Sequence, residues 1–267
     1  MTTPTDYPAP PPRVRLPTPE RPLRLYNCAC IPAMQQLPSE SFDACITDPP
    51  YGVNYRSGFP LVASERFDRV ANDTRPYIWW FDEARRLLRD GGCMVCFTYW
   101  DTAEAFRSAM TWAGLDVGAQ LVWDKRVHSM GDLSGTPGAE HETAWFATKG
   151  RYAFPGGVKR PTTMYRFPRP VGGGTRHPTQ KPDGLLEKLV ADYTAPGAMI
   201  LEPFAGSGST ALAAYRSGRM CFATELDSGH HAGAVREYER LQAEEASGLR
   251  TRPAFGPRPD YDDKAMF

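Results

Sequence analysis

Apolar residues along this chain fall in short runs separated by stretches whose apolar positions recur at helical spacing. Runs at 23–26, 44–47, 93–98, 119–123, 144–147, 198–201 and 221–224 are too short for helices and end in polar, Gly or Pro residues, which predicts seven strands. Between them, IWWFDEARRLLRDGG places Trp80, Phe81, Ala84, Leu87 and Leu88 on one helical face, with Gly91 as the stop. DTAEAFRSAMTWAG predicts a helix capped by Asp101 and Glu104 and ended by Gly114. In KPDGLLEKLVADYTAPG, Pro182 suits the first turn of a helix that closes before Pro196 and Gly197. Strands alternating with helices predict an α/β fold with a doubly wound, mostly parallel seven-stranded sheet. The ends lack the pattern. Residues 1–22 are proline-rich with few apolar anchors and read as a disordered leader; 247–267 read as a flexible tail, leaving 23–246 as one domain without internal repeats.

Composition adds limits to this picture. A chain of 267 residues with 41% hydrophobic and 23% charged residues can bury a sizeable core. No apolar run approaches the ~20 residues of a membrane span, and no basic, apolar leader opens the chain, so a cytoplasmic protein without membrane contact is expected. Six cysteines lie in apolar stretches and read as reduced core residues. Cys93 and Cys96 have the spacing of a metal hook, but in a strand residues three apart face opposite ways. Net charge is zero, from 31 basic and 31 acidic residues, yet 149–181 holds eight Lys or Arg and no acid, which leaves the remainder at minus eight. So one-sided a segment, rich in Gly, Pro and aromatics, is a candidate phosphate-contacting surface; the competing reading is a solvated loop.

Two stretches carry chemistry. ITDPPYGVNY ends an apolar run in an acid, two prolines and a tyrosine, which is either loop punctuation or a rigid shelf, since proline fixes its own φ and lacks an N–H donor. MILEPFAGSGSTALAA runs a strand through a glycine turn into a helix, and Glu225 follows Gly206 by nineteen residues at the end of the next strand. Glycines admit a ligand to the backbone and an acid at that spacing can accept ribose hydroxyls, so the pair describes an adenosine-containing ligand. A Walker loop does not fit, because no Lys follows the glycines. A dinucleotide loop would place a third glycine where Thr210 or Ala211 stands.

Read together, DPPY, FAGSG and HPTQKP in this order make the chain resemble the permuted β group of S-adenosylmethionine-dependent DNA amino-methyltransferases over roughly 23–242. The resemblance implies a Rossmann-like methyltransferase fold and a catalytic shelf of Asp48, Pro49, Pro50 and Tyr51. Asp48 and the Pro49 carbonyl would take hydrogen bonds from a target amino group, and Tyr51 would stack on a base flipped from double-stranded DNA. It implies an S-adenosylmethionine site, without metal, of Glu202, Pro203, Phe204, Ala205, Gly206, Ser207, Gly208 and Glu225, with Thr179 and Lys181 toward the methionine end. Where relatives carry Gly-Asp-Cys this chain has Cys28-Ala29-Cys30, so Asn27 is expected to replace an acidic contact to the cofactor adenine. DNA contacts are expected from Tyr55 and Arg56 after the shelf, and from Lys159, Arg160, Arg166, Arg169 and Arg176 in an embedded basic loop at 150–176. Trp123, Trp145 and Phe146 are expected in the core. A leading Asp in the shelf favours adenine N6, with cytosine N4 as the alternative. A non-catalytic nucleic-acid-binding paralogue and an RNA or protein-glutamine methyltransferase are the readings from other classes. Further partners implied are a cognate restriction endonuclease and a second copy of the chain, in a bacterial or phage setting.

Overall fold

A computed structural model describes residues 13–52, 76–127, 135, 137–156, 160–169 and 181–255. The elements in chain order are β1 (Leu23–Asn27), α1 (Cys30–Met34), β2 (Phe42–Thr47), α2 (Phe81–Leu87), β3 (Leu88–Thr98), α3 (Ala103–Trp112), β4 (Asp116–Asp124), β5 (His141–Lys149), β6 (Met164–Arg166), α4 (Asp183–Tyr193), β7 (Met199–Glu202), α5 (Ser209–Arg216), β8 (Met220–Glu225) and α6 (Ser228–Ala246). They form one sheet in the order β1-β8-β7-β2-β3-β5-β4-β6. All pairings are parallel except those of β5, which runs against both β3 and β4.

Side chains alternate across the sheet, so each central strand feeds two cores. Ala44, Ile46, Cys93, Val95 and Phe97 point to the face covered by α4, α5 and α6. Cys45, Met94, Cys96, Leu201 and Phe222 point to the face covered by α1, α2 and α3. Both faces are therefore helix-covered, as in a doubly wound fold. Cys93 and Cys96 lie on opposite faces, and all six cysteines are buried free thiols. Among the described residues no helix is long and apolar enough to cross a membrane.

Several expectations about elements need correction. Among the described residues the sheet has eight strands rather than seven: β6 lies inside the expected basic loop and lengthens the sheet past β4, with Tyr165 as its buried residue. Helix α2 stops at Leu87, and Leu88 to Gly92 already belong to β3. Gly91, with φ +68°, bends that strand where Leu88 sits opposite Phe42 and Cys93 opposite Ala44. Asp43, buried beside this bend, binds Arg89 at 2.9 Å and accepts from the Met199 N–H at 2.7 Å. Helix α3 has Thr102 at its N-cap with no side-chain capping bond, so the Asp101–Glu104 pair does not cap it. Its C-terminus closes on Gly114 (φ +83°) with the paired bonds of a Schellman motif, Gly114 N–H to Thr111 and Leu115 N–H to Met110. Pro182 is the N-cap of α4 rather than its first residue.

Both flanks contact the body where they are described. Val14 is buried among α1 and β8 residues, and the Arg15 N–H donates to Tyr26 Oη at 2.9 Å. After α6, the Arg252 guanidinium lies 3.9 Å from the Phe255 ring centroid and 4.7 Å from that of Tyr215. A proline-rich segment has little backbone freedom to lose, which lets a few anchors such as Val14 and the Arg15–Tyr26 contact hold it.

Candidate active site

The sheet order reverses between β7 and β2. From β7 the chain continues to β8 on one side, and from β2 to β3 on the other. Helices leave such neighbours in opposite directions and open a crevice at their carboxyl ends. Here those ends are Thr47-Asp48-Pro49-Pro50-Tyr51 and Glu202-Pro203-Phe204. The strands are tied by register, Cys45 opposite Leu201, and by a 2.5 Å hydrogen bond from Thr47 Oγ1 to Glu202 Oε1. Two segments 155 residues apart thus meet at one point.

On the β2 side, both Asp48 carboxylate oxygens are engaged. Tyr51 Oη donates to Oδ1 and Lys181 Nζ donates to Oδ2, the latter at 2.5 Å. The Tyr51 ring stacks toward Tyr99 at 6.5 Å, and Tyr99 continues to Trp100 at 5.8 Å, which is 70% exposed. An aromatic row thus leads from the shelf to the surface. Pro49 is buried, and the Pro50 carbonyl accepts from the Tyr77 N–H at 3.4 Å.

On the β7 side, Glu202 is buried and also accepts from the Phe204 N–H at 3.0 Å. Burial pushes its carboxyl up to about 8 despite the hydrogen bonds of Thr47, Phe204 and Thr210, which pull it down. Phe204 packs edge-on against Trp80 at 5.2 Å and Tyr77 at 5.9 Å. The turn then uses its glycines in two ways. Gly206, at φ +53°, has nothing within 4 Å of where a Cβ would stand, so space over the turn is open. Gly208, at φ +83°, would bring a Cβ within 2.8 Å of Ala234 on α6, so it serves helix packing.

Glu225 lies at the end of β8. Its Oε2 accepts from the Gly206 N–H at 2.6 Å and its Oε1 from the Asp227 N–H at 2.7 Å. Burial raises its carboxyl above the usual range in spite of both bonds. Asn27 stands opposite Glu225 and spends its amide hydrogens on the Glu225 and Leu226 carbonyls, at 2.8 and 3.0 Å. Its oxygen is the atom left to face a ligand. An open glycine turn, one buried and one half-buried acid and an amide oxygen at adjacent strand ends fit a small ligand carrying both cationic and hydroxyl groups.

Sequence reasoning placed Lys181 with the cofactor residues, but its ammonium sits on Asp48. It is buried, lies 3.2 Å from Glu142 Oε2, and stands over the Phe97 ring at 4.7 Å. Glu142 in turn meets Lys125 at 3.7 Å. Burial opposes charge on all three. Asp48 and Glu142 nevertheless hold the Lys181 ammonium well above its usual range, and Lys181, Lys125 and Arg169 hold Glu142 below the usual carboxylate range. For Lys125 burial prevails over Glu142, helped by Arg169 and Lys181, and its ammonium is lowered. Glu142 and Lys125 were not among the expected site residues. Each stands at the end of an apolar run, in HETAWFATK and VWDK, but nothing in the sequence joins the two.

The expected nucleic-acid residues are spread more widely. Arg160, Arg166 and Arg169 are exposed on the segment around β6, where Arg166 lies 3.7 Å from Asp124 and the Arg169 N–H donates to the Lys125 carbonyl at 3.3 Å. Two other basic residues of the one-sided window are used internally: Lys181 as above, and Lys149, which donates to the Leu88 carbonyl at 2.7 Å. Thr179, Tyr55, Arg56, Lys159 and Arg176 lie outside the described residues. Trp123 is buried, and Trp145 and Phe146 are half-buried against the two cores.

Comparison with known proteins agrees with this geometry. A family model described as "DNA methylase", for N6 and N4 methyltransferases, matches residues 42–236. The protein named "Putative methylase YubD" of Escherichia coli (strain K12) is 31% identical over 229 residues, which is 85% of this chain and 95% of that protein. Among solved structures, the M1.HpyAVI–SAM complex is 24% identical with a TM-score of 0.60, covering 80% of this chain and 99% of the other. The PvuII DNA methyltransferase, cytosine-N4-specific, is 14% identical with a TM-score of 0.62, covering 85% and 93%. A match that spans both strand ends of the crevice, and a relative alike over nearly its whole length, establish that the chain belongs to the DNA methylase family of N6/N4 amino-methyltransferases.

Proposed function

We propose that this protein methylates adenine N6 in double-stranded DNA, taking the methyl group from S-adenosylmethionine and acting on a base flipped out of the helix. The observation that carries the reading is the meeting of the DPPY and FAGSG segments at one reversal point of the sheet, bonded through Thr47 and Glu202. When bound, S-adenosylmethionine supplies an electrophilic methyl carbon on a sulfonium sulfur. Glu202 receives the ligand's ammonium, Gly206 leaves room for its body, and Glu225 and Asn27 address its ribose and adenine. The solved relative in complex with SAM has the same fold, which supports this assignment.

Asp48 and the Pro49 carbonyl supply the rest. An exocyclic amino nitrogen is a weak nucleophile because its lone pair is delocalised into the ring. Hydrogen bonds from both its N–H groups to Asp48 and Pro49 favour a pyramidal nitrogen whose lone pair points at the methyl carbon. In the transfer the N–C bond would form as the S–C bond breaks, and the proton shed by the nitrogen would pass by way of Asp48 to solvent. Most of the acceleration is positional, which is the use of two prolines at this point. Tyr51, Tyr99 and Trp100 offer ring faces for the flipped base and its neighbours, and the exposed arginines 160, 166 and 169 suit phosphate contacts. The bacterial relative favours a cytoplasmic enzyme. Likeness to a cytosine-N4 enzyme keeps cytosine as the second reading. Digestion of treated DNA to nucleosides and identification of the product decides between them. N6-methyladenine is expected, and N4-methylcytosine alone overturns the adenine assignment.

A further inference from the structure

The charge cluster behind the shelf holds more than this reaction uses. An amino group that is to be methylated presents N–H donors to Asp48, and so does an ammonium. Lys181 already makes that contact, at 2.5 Å, with its side chain only 6% exposed. On its other side stands Glu142 Oε2 at 3.2 Å, and ring faces of Phe97 and Tyr51 lie 4.7 and 5.9 Å away. We propose that Lys181 is a positioning residue which occupies the target amino group's place on Asp48 until a base arrives, and that Glu142 keeps its ammonium when it lets go. The proposal rests on the methyl-transfer reading and adds a step to it, an exchange of donors on one carboxylate.

The arrangement suits such an exchange. A buried ammonium that lost its sole partner would be left an uncompensated charge out of water, which is strongly unfavourable. Glu142 removes most of that cost, because the ammonium needs only to shift its weight from one carboxylate to another, with aromatic faces beside it. Lys125, 3.7 Å from the second Glu142 oxygen, keeps Glu142 an anion throughout. Two acids and two bases make the cluster neutral before and after. Among the described residues, the titratable or charged groups around the Asp48–Lys181 pair are Tyr51 after β2, Cys96 on β3, Glu142 on β5 and Glu202 on β7, with Lys125 after β4 and Arg169 beyond Glu142. Both tyrosine and cysteine stay neutral at these positions, since burial raises each well above its usual range.

The test is single-turnover transfer of tritiated methyl from S-adenosylmethionine to amplified, hence unmethylated, bacterial genomic DNA, followed across acid and neutral pH. Absence of transfer by the wild-type protein would overturn the methyl-transfer reading and this proposal with it. If the wild type is active, Lys181→Met should bind S-adenosylmethionine as the wild type does in calorimetry. Its rate at neutral pH should fall on the order of 10²-fold, and the acid limb of its profile should move to higher pH, because a cation beside the carboxylate is gone. Lys181→Arg keeps the charge and should keep the limb in place. Glu142→Gln should raise the KM for DNA without loss of cofactor affinity. Wild-type rate and profile in Lys181→Met would sink the proposal. So would equal losses in the Met and Arg variants with an unmoved limb, which mark simple packing, or a loss of cofactor affinity in Lys181→Met, which marks a cofactor ligand. If Lys181→Met does not fold, the Lys181→Met/Glu142→Gln double variant takes its place. The same upward limb is expected, and an unmoved one counts against the proposal.

Discussion

Glu202 is held by two opposing demands. To receive the cationic ligand proposed for it, it would have to be an anion, yet burial pushes its carboxyl from an ordinary 4.5 up to about 8. Between those values the folded protein holds a proton that the unfolded chain has released, so the contribution of this side chain to stability falls as pH rises through that window. Glu202→Gln should remove this dependence. Urea midpoints measured at acid, neutral and alkaline pH should show the wild type losing ground to the variant across the window, and parallel curves would count against it. The variant should bind S-adenosylmethionine more weakly at neutral and alkaline pH, with the difference shrinking at acid pH, where Glu202 keeps its proton. Glu202 and Asp48 were legible in the sequence, because each ends an apolar run beside prolines or glycines. Glu142 and Lys125 were not. Their partners come from β2, β4, β5 and the entry to α4, so the cluster exists only after strands distant in sequence have paired.

At the scale of elements, the turn between β7 and α5 separates two roles that a glycine pattern merges. Gly208→Ala puts a side chain into the left-handed region and against Ala234, and should cost about 1–3 kcal/mol of stability, read from the urea midpoint. Gly206→Ala meets open space, so it should cost about 1 kcal/mol while weakening cofactor binding in calorimetry. A reversal of these two outcomes would show that the roles were misassigned. The sequence pattern located the seven longer strands because each carries a short apolar run; β2 and β7 are buried on both faces, whereas β1 and β4 are buried only in part. It overlooked β6, whose three residues contain one buried side chain in a Gly- and Pro-rich setting. It ran α2 too far, because Leu88 continues the helical spacing although its backbone has already turned into β3.

For the whole molecule, the order of strands in space differs sharply from their order in the chain. Strand β1 pairs with β8 and β2 with both β3 and β7, so the first strands await the last. During synthesis the nascent chain must keep those edges unpaired until β7 and β8 leave the ribosome. Exposed edges of apolar strands invite association with other chains. A fragment ending before Met199 should therefore be insoluble on expression and unprotected in amide hydrogen exchange at β1, whereas the full chain should be soluble and protected there. Protection of β1 in the fragment would show that its pairing with β8 is dispensable. Because the last-made strand carries Glu225 and the one before it Glu202, no partly translated chain possesses the crevice. A newly made protein can modify a genome only after its core has closed.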